Sequence, residues 1–433
     1  MVARASNTDM TNTNLCISGG YADITPWPSI LLAGYGIGRK STSLSQPLEV
    51  NAILLKHGSH RVIFVQLDVV SVGARLRHDI LEYFSGKICD KELVLIASHT
   101  HYAPNIDYRL ASMGAVNGKY YFRVVKIVCN LLERVIKTTP RIVNMSYGEA
   151  RAHHSMNRRA WCIAPIRKFP FVKRVMALHP NPLGPRDDRI RVFTASDRSH
   201  KDKHFGILWN YACHPVTSWP HNAISSDYPG VVRSLLRAQY GNDLPIVFLP
   251  GFSGNIRPNR IDRFPFSPYY LLHRAINGPV FGKFTSRQSS EWNNSLADIV
   301  LQVVSNNLKP IEVDGISSAR TSVPIHLLMK GIVDDRTMTF FVIGFDPHFG
   351  FCGISAEPVI EYAYALEQYF LPRVMVSIGY IDTVCAYLPI SSMLAEGGLE
   401  VSSPGFGLDE AEYRDDIFNR VIDIVQDLWK GIT

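Results

Sequence analysis

Two histidines one residue apart, His99-Thr100-His101, follow directly on the apolar run Leu93-Val94-Leu95-Ile96-Ala97. On extended backbone residues i and i+2 project to one face, so the pair is expected to present two imidazoles together, which suits metal binding. A hydrogen-bonded loop pair is the ordinary alternative. His214 comes after a separate apolar run, Ile207–Ala212, and before a proline that fixes the turn. Imidazoles from different strands need an anionic partner to hold a divalent ion. Glu357, in Gly353-Ile354-Ser355-Ala356-Glu357-Pro358, can supply it; otherwise it is a first-turn glutamate stabilised by the following helix dipole. Asn157-Arg158-Arg159 adds guanidinium forks suited to a carboxylate, a phosphate or a developing oxyanion, with a surface ion pair as the alternative.

These residues must be carried by elements that end near one another. Apolar β-branched and aromatic runs at Val50–Lys56, Arg61–Asp68, Leu93–Ala97, Phe205–Ala212, Pro245–Leu249, Met338–Phe345 and Val374–Gly379 read as strands. Several are apolar throughout, as in strands covered on both faces. Helical spacing marks Lys119–Lys137, the stretch after Ser226-Asp227-Tyr228-Pro229, and Asp409–Lys430. The expected fold is α/β or α+β, a mixed sheet flanked by helices. Polar residues follow four of the strands, and in open α/β sheets ligands sit beyond the carboxyl ends of the strands. Residues 1–15 are expected to be a flexible N-terminus and 16–433 one domain. The Pro-, Phe-, Tyr- and Arg-rich segment 259–293 reads as a lid or a surface insertion. Gly34-Tyr35-Gly36, Gly251–Gly254 and Gly397-Gly398 read as turns, because they lack the surroundings of a phosphate-binding fingerprint.

Composition narrows the class. With 433 residues, 46% hydrophobic and 19% charged, the chain can bury a large core, which excludes disorder and a disulfide-stapled miniature scaffold. The net charge of +7 is dispersed, so nucleic acid is not an expected partner. Seven cysteines, odd in number and never in a CxxC pair, suggest neither a disulfide framework nor a thiolate zinc site and fit a reducing compartment. The N-terminal stretch lacks the apolar core of a signal peptide, and no run is long enough to span a membrane. A cytoplasmic location is expected.

Taken in order, the motifs resemble the catalytic domain of the neutral/alkaline (non-lysosomal) ceramidase family. The likeness runs from Ala22-Asp23-Ile24-Thr25-Pro26 through Gln66-Leu67-Asp68, Ser98-His99-Thr100-His101 and Asn157-Arg158-Arg159. It continues with Tyr211-Ala212-Cys213-His214-Pro215, Ser226-Asp227-Tyr228-Pro229-Gly230, Gly254–Asn259, Glu357, Gly379-Tyr380, Ala386-Tyr387-Leu388-Pro389 and Glu396–Val401. The resemblance implies one catalytic zinc held by His99, His214, Glu357 and Tyr387, with Tyr380 as the alternative tyrosine. It implies that His101 and Arg158 flank the activated water and the substrate carbonyl. Asp68 and Asp227 are then candidate orienters of the ligands, or else a helix cap and a loop hydrogen-bonder. A zinc with an open position lowers the pKa of water to about 7, which produces a nucleophile for an amide carbonyl. His101 would serve as general base and then acid, and Arg158 would stabilise the oxyanion.

Departures from the family fall on the substrate side. Arg257 stands where the family has a serine, and Tyr102 follows the histidine motif where the family has Ser-Gly. With Asn255, these are the candidate substrate contacts. The chain is expected to be a catalytic-domain-only member, without the C-terminal immunoglobulin-like domain. The expected activity is metal-dependent hydrolysis of an N-acyl amide in a small molecule, with acyl transfer or condensation on the same scaffold, or binding without turnover, as alternatives. His, Glu and Tyr donors also suit iron or manganese.

Overall fold

A computed structural model describes residues 14–432 apart from 28, 36–37, 166–171, 263–273, 333–334, 346–347, 404, 406–407 and 409–410. The expected flexible stretch therefore lies almost wholly outside the described residues, as does the middle of the 259–293 segment.

In chain order the elements that build the site are β1 (Leu15–Asp23), β2 (Glu49–His57), β3 (His60–Leu67), α1 (Ala74–Phe84), β4 (Leu93–Ala97), α2 (Gly118–Lys137), β5 (Arg141–Arg151), β6 (Ser155–Pro165), β7 (Val172–Asn181) and β8 (Arg189–Asp197). They continue with β9 (His204–Tyr211), α3 (Asp227–Tyr240), β10 (Ile246–Pro250), α4 (Ser286–Asn306), β11 (Ser317–Pro324), β12 (Thr337–Phe345), β13 (Phe349–Ile354), α5 (Ile360–Tyr369), β14 (Val374–Ile378) and α6 (Ile417–Lys430). The large sheet has the order β10-β9-β8-β5-β1-β2-β3-β4, with Lys309–Ile311 added beside β5; a second sheet runs β11-β12-β13-β14. Antiparallel pairs dominate, but β3/β4, β9/β10 and β13/β14 are parallel.

The period-2 alternation of each strand sends its side chains into two cores. In β3, Ile63, Val65 and Leu67 pack with α1 and α2, whereas Val62 and Phe64 join Phe341, Ile343 and Phe351 of the second sheet. The Phe64 and Phe351 rings meet edge to face at 5.9 Å. In β9, Ile207, Trp209 and Tyr211 face α3 and α4, and Leu208 faces the second sheet. Phe340 and Val342 of β12 turn the other way, toward α5 and α6. The mixed sheet flanked by helices is therefore two sheets packed face to face with helices on both outer surfaces. Central strands covered on both sides explain the continuous apolar runs.

One expectation is corrected. Residues 286–293 are the start of α4, not part of a lid: Thr285 and Gln288 form a reciprocal capping box at its N-terminus. Farther back in that segment, Ile261-Asp262 pairs with Val280-Phe281. Asn157-Arg158-Arg159 lies on β6, pairing with β7 and with the short strand Ile256–Pro258.

A buried ion-pair network fixes α3 to the large sheet. Arg233 donates to Asp68 at 2.6 Å and 3.2 Å, Arg237 donates to Glu49 at 2.8 Å, and Asp68 accepts the Glu49 amide. Removing one member leaves uncompensated buried charge. Arg233→Ala should destabilise the protein by about 3–5 kcal/mol in urea unfolding; a loss under about 1 kcal/mol would show that the network is solvated.

Candidate metal centre at the strand ends

The carboxyl ends of β4, β9, β10, β13 and β14 are joined by backbone hydrogen bonds, most of which cross between the sheets. Gly251 donates to Tyr211, Gly379 to Pro250, Ala97 to Tyr380, Asp382 to Leu95, and Gly254 to Pro358. A Cβ on Gly254 would stand 2.3 Å from the Glu357 carbonyl oxygen, so only glycine lets that loop reach the Glu357 backbone. Residues distant in sequence are thus held against one another by main chain, before any side chain contributes.

At this junction the chain leaves ideal geometry. His99 (φ 64°) and Tyr380 (φ 59°) are both in the left-handed region, which is uncommon for bulky side chains. Their rings stack at 4.1 Å. His99 is therefore not on extended backbone, and the i, i+2 argument does not account for its pairing with His101. The chain turns at His99, and the turn brings the two Nε2 atoms to 3.4 Å.

Each imidazole is held by a main-chain carbonyl. Nδ1 of His99 lies 2.8 Å from Val70 O, Nδ1 of His214 2.8 Å from Ile256 O, and Nδ1 of His101 3.1 Å from Gly34 O. A carbonyl only accepts, so each Nδ1 carries the proton, and the neutral ring presents a bare Nε2. All three Nε2 atoms point to one place. Glu357 joins them, with one carboxylate oxygen 3.1 Å from His214 Nε2 and 3.6 Å from His99 Nε2. His99, His214 and Glu357 are each no more than 3% exposed.

Burial, opposed only weakly by Glu357, holds His101 well below the ordinary imidazole range; burial likewise brings His214 down to about 4. Burial alone would raise Glu357, but positive charge or a donated proton on the His99 and His214 side holds it far below the usual carboxylate range. Bare nitrogens around an ionised carboxylate repel it unless a cation or a proton lies between them. The spacings of 3.1 and 3.6 Å from the Glu357 oxygen to the His214 and His99 nitrogens lie near the ~3.3 Å separation of donors around a tetrahedral ion with bonds of about 2.0–2.1 Å. The donor set fits a divalent metal of the zinc type.

Arg158 and Tyr387 border the group. Arg158 Nε donates to Glu400 at 2.9 Å, its guanidinium lies 5.4 Å from the Tyr387 ring centroid, and its buried Nη2 has no hydrogen-bond partner among the described residues. Glu400 also accepts from Arg159 at 2.7 Å. Tyr387 pairs with Glu357 across two short parallel strands, Glu357–Pro358 and Tyr387–Leu388. Burial and then the Glu357 charge raise its phenol. The Tyr380 hydroxyl is instead engaged with Ser253 Oγ at 2.8 Å.

Other sequence-derived candidates take different places. Among the described residues neither Asp68 nor Asp227 hydrogen-bonds to a histidine. Asp68 is spent on Arg233 and the Glu49 amide, while Asp227 accepts from the Thr217, Ser218 and Tyr228 amides and the Thr217 hydroxyl, bracing the loop after His214. Carbonyls do the orienting, and no side-chain pattern announces a carbonyl. Asn255 is committed at both ends of its amide, to the Ile360 N–H and to Glu361. It anchors the start of α5. Tyr102 is buried next to Tyr35, and Arg257 lies over Phe281.

Missed by the sequence reading were Gly34, Tyr35, Arg39 and the ion-pairing role of Glu400. Gly34 has φ 98°, and a Cβ there would lie 2.6 Å from the His101 ring. Gly34→Ala should destabilise the protein by roughly 1–3 kcal/mol in urea unfolding through strain and the displaced imidazole. A stabilisation of ~0.4–1 kcal/mol, the usual result of Gly→Ala at an unstrained position, would contradict the cradle.

No protein-family model and no curated relative matches the sequence. Solved structures do match. A neutral ceramidase from Pseudomonas aeruginosa superimposes with a TM-score of 0.73 over 96% of this chain and 74% of that one, at 14% identity. A ceramidase complexed with C2 gives a TM-score of 0.69 over 96% and 75%, at 13% identity. This chain has a neutral ceramidase-like fold, in agreement with the resemblance carried by the motifs.

Proposed function

We propose that the protein is a metal-dependent hydrolase that cleaves the amide bond of an N-acyl small molecule. The observation that carries this is the inward convergence of the His99, His214 and Glu357 donors, each imidazole fixed by a carbonyl behind it. The structural neighbours are named as ceramidases, whose activity is hydrolysis of an N-acyl amide.

His99, His214 and Glu357 would hold the ion, with Tyr387 beside Glu357 as a further oxygen donor. What a divalent metal supplies when bound is Lewis acidity, bringing the pKa of water to about 7 and polarising a carbonyl. His101 is the outlier of the histidines: among the described residues it makes no contact with Glu357 within 4 Å, and at 9% it is the most exposed of the three. Its bare Nε2 is suited to accept a proton from the attacking water and return it to the leaving nitrogen. Water oxygen bonds to the acyl carbon, the C–N bond breaks, and a carboxylic acid and an amine leave. The unpartnered Arg158 Nη2 is a charged donor for the carbonyl oxygen as it gains negative charge. Glu400, bonded at Nε, fixes the orientation of that guanidinium.

His101→Ala separates the roles. It should retain stoichiometric metal by elemental analysis while turnover of an N-acyl amide falls by about 10²–10⁴. His99→Ala and His214→Ala should lose both; metal loss in His101→Ala would make it a ligand instead. Protons compete for the same nitrogens, so affinity falls as pH falls. Because burial depresses the ligand His214 to about 4, the metal should survive dialysis at about pH 6 and leave as the pH approaches about 4. Half-release at ~6.5, where a free imidazole titrates, would contradict the buried site.

A further inference from the structure

The approach to the histidines from the His101 side is lined by cations and phenols without a carboxylate partner. Arg257 is one residue beyond Ile256, whose carbonyl fixes His214, and its strand lies against β6 two positions from Arg158. Its guanidinium sits 4.5 Å from the Phe281 ring centroid, and no carboxylate among the described residues lies within ion-pairing distance. Arg39 is similar. Its Nη1 donates to His221 O at 2.7 Å and its Nη2 to the carbonyls of Ala33 and His101; its Nε is buried without a partner. That guanidinium lies 4.7 Å from the Tyr35 ring centroid and 5.4 Å from that of Tyr102. Tyr35 in turn packs on His101 at 4.9 Å.

Elsewhere this protein pairs its buried arginines. Arg77, Arg158, Arg159, Arg191, Arg233 and Arg237 all have carboxylate partners. A desolvated guanidinium is costly when unpaired, and the usual compensation is an anion. Arg39 spends its terminal nitrogens on main-chain carbonyls and contributes mainly charge, whereas Arg257 keeps its planar fork, the geometry that matches a carboxylate in a bidentate pair.

We propose that this rim is an anion subsite and that the substrate is an N-acyl compound bearing a carboxylate close to its amide, bound by Arg257 with Arg39, Tyr35 and Tyr102 around it. The proposal rests on the hydrolase reading for which bond is cut, but not for which ligand binds. A neutral amide would leave the half-buried Arg257 without a counter-ion.

The test uses the metal-loaded protein with N-acetyl-, N-butanoyl- and N-octanoylglycine, each against the matching N-acylethanolamine, which replaces the carboxylate by a neutral hydroxymethyl group. Affinity is read by thermal-shift titration and turnover by amine release. The glycine conjugates should bind about ten- to a hundredfold more tightly, the loss typical of a charge-assisted hydrogen bond. Arg257→Gln should abolish that preference, and Arg257→Lys, which keeps the charge but not the fork, should restore part of it; circular dichroism confirms that both variants fold. Equal affinity for the two series, or a preference that persists in Arg257→Gln, overturns the subsite whether or not either series is hydrolysed. Selective binding without turnover keeps the subsite and removes the hydrolase reading; unselective turnover does the reverse.

Discussion

Lone pairs that face one another inside a protein must be reconciled by a positive charge, and the architecture around His99, His214 and Glu357 is built to force that situation. Each imidazole has its proton drawn to the rear by a backbone carbonyl, so its other nitrogen has no choice of direction. The main chain does this work. It is more rigid than a carboxylate side chain, and it leaves the donors neutral up to the point where they meet. The cost falls on the backbone, where His99 and Tyr380 hold left-handed conformations stacked on each other.

The layers explain how such a meeting is possible. The donors come from two sheets, His99 and His214 after strands of the large one, Glu357 after a strand of the small one. Packing the sheets face to face through Phe64, Phe193 and Phe351 brings their carboxyl ends level. Cross-sheet backbone hydrogen bonds then lock the loops together. Chemistry at the rim therefore depends on the aromatic packing beneath it, and α3, tied down by Asp68 and Glu49, closes the outer side.

Much of this was legible in the sequence because it follows from pattern. Apolar runs ending in His99, His214 and Ser253 mark strands that run into polar loops, and the α2 stripe of Val124, Val128, Leu131 and Val135 marks a buried helix face. What was not legible has physical reasons. β6 and β7 expose residues such as Trp161, Ile163 and Val172, so their alternation is blurred. The first turns of α4 are Ser- and Asn-rich and lack a stripe, although the Thr285/Gln288 box was available to be read. Asp68 and Asp227 look like ligand orienters by type, yet a carboxylate serves equally well as a counter-ion or a loop brace, and only three-dimensional placement distinguishes these. Tyr35 and Arg39 reach His101 on a loop that Gly34 lets approach that ring, a contact that leaves no spacing signature.

The most direct test is a crystal structure of the zinc-loaded protein with anomalous diffraction recorded at the zinc edge. The account predicts one strong peak about 2.0–2.2 Å from Nε2 of His99, Nε2 of His214 and a carboxylate oxygen of Glu357. A peak elsewhere, or an ion held without Glu357, would contradict it.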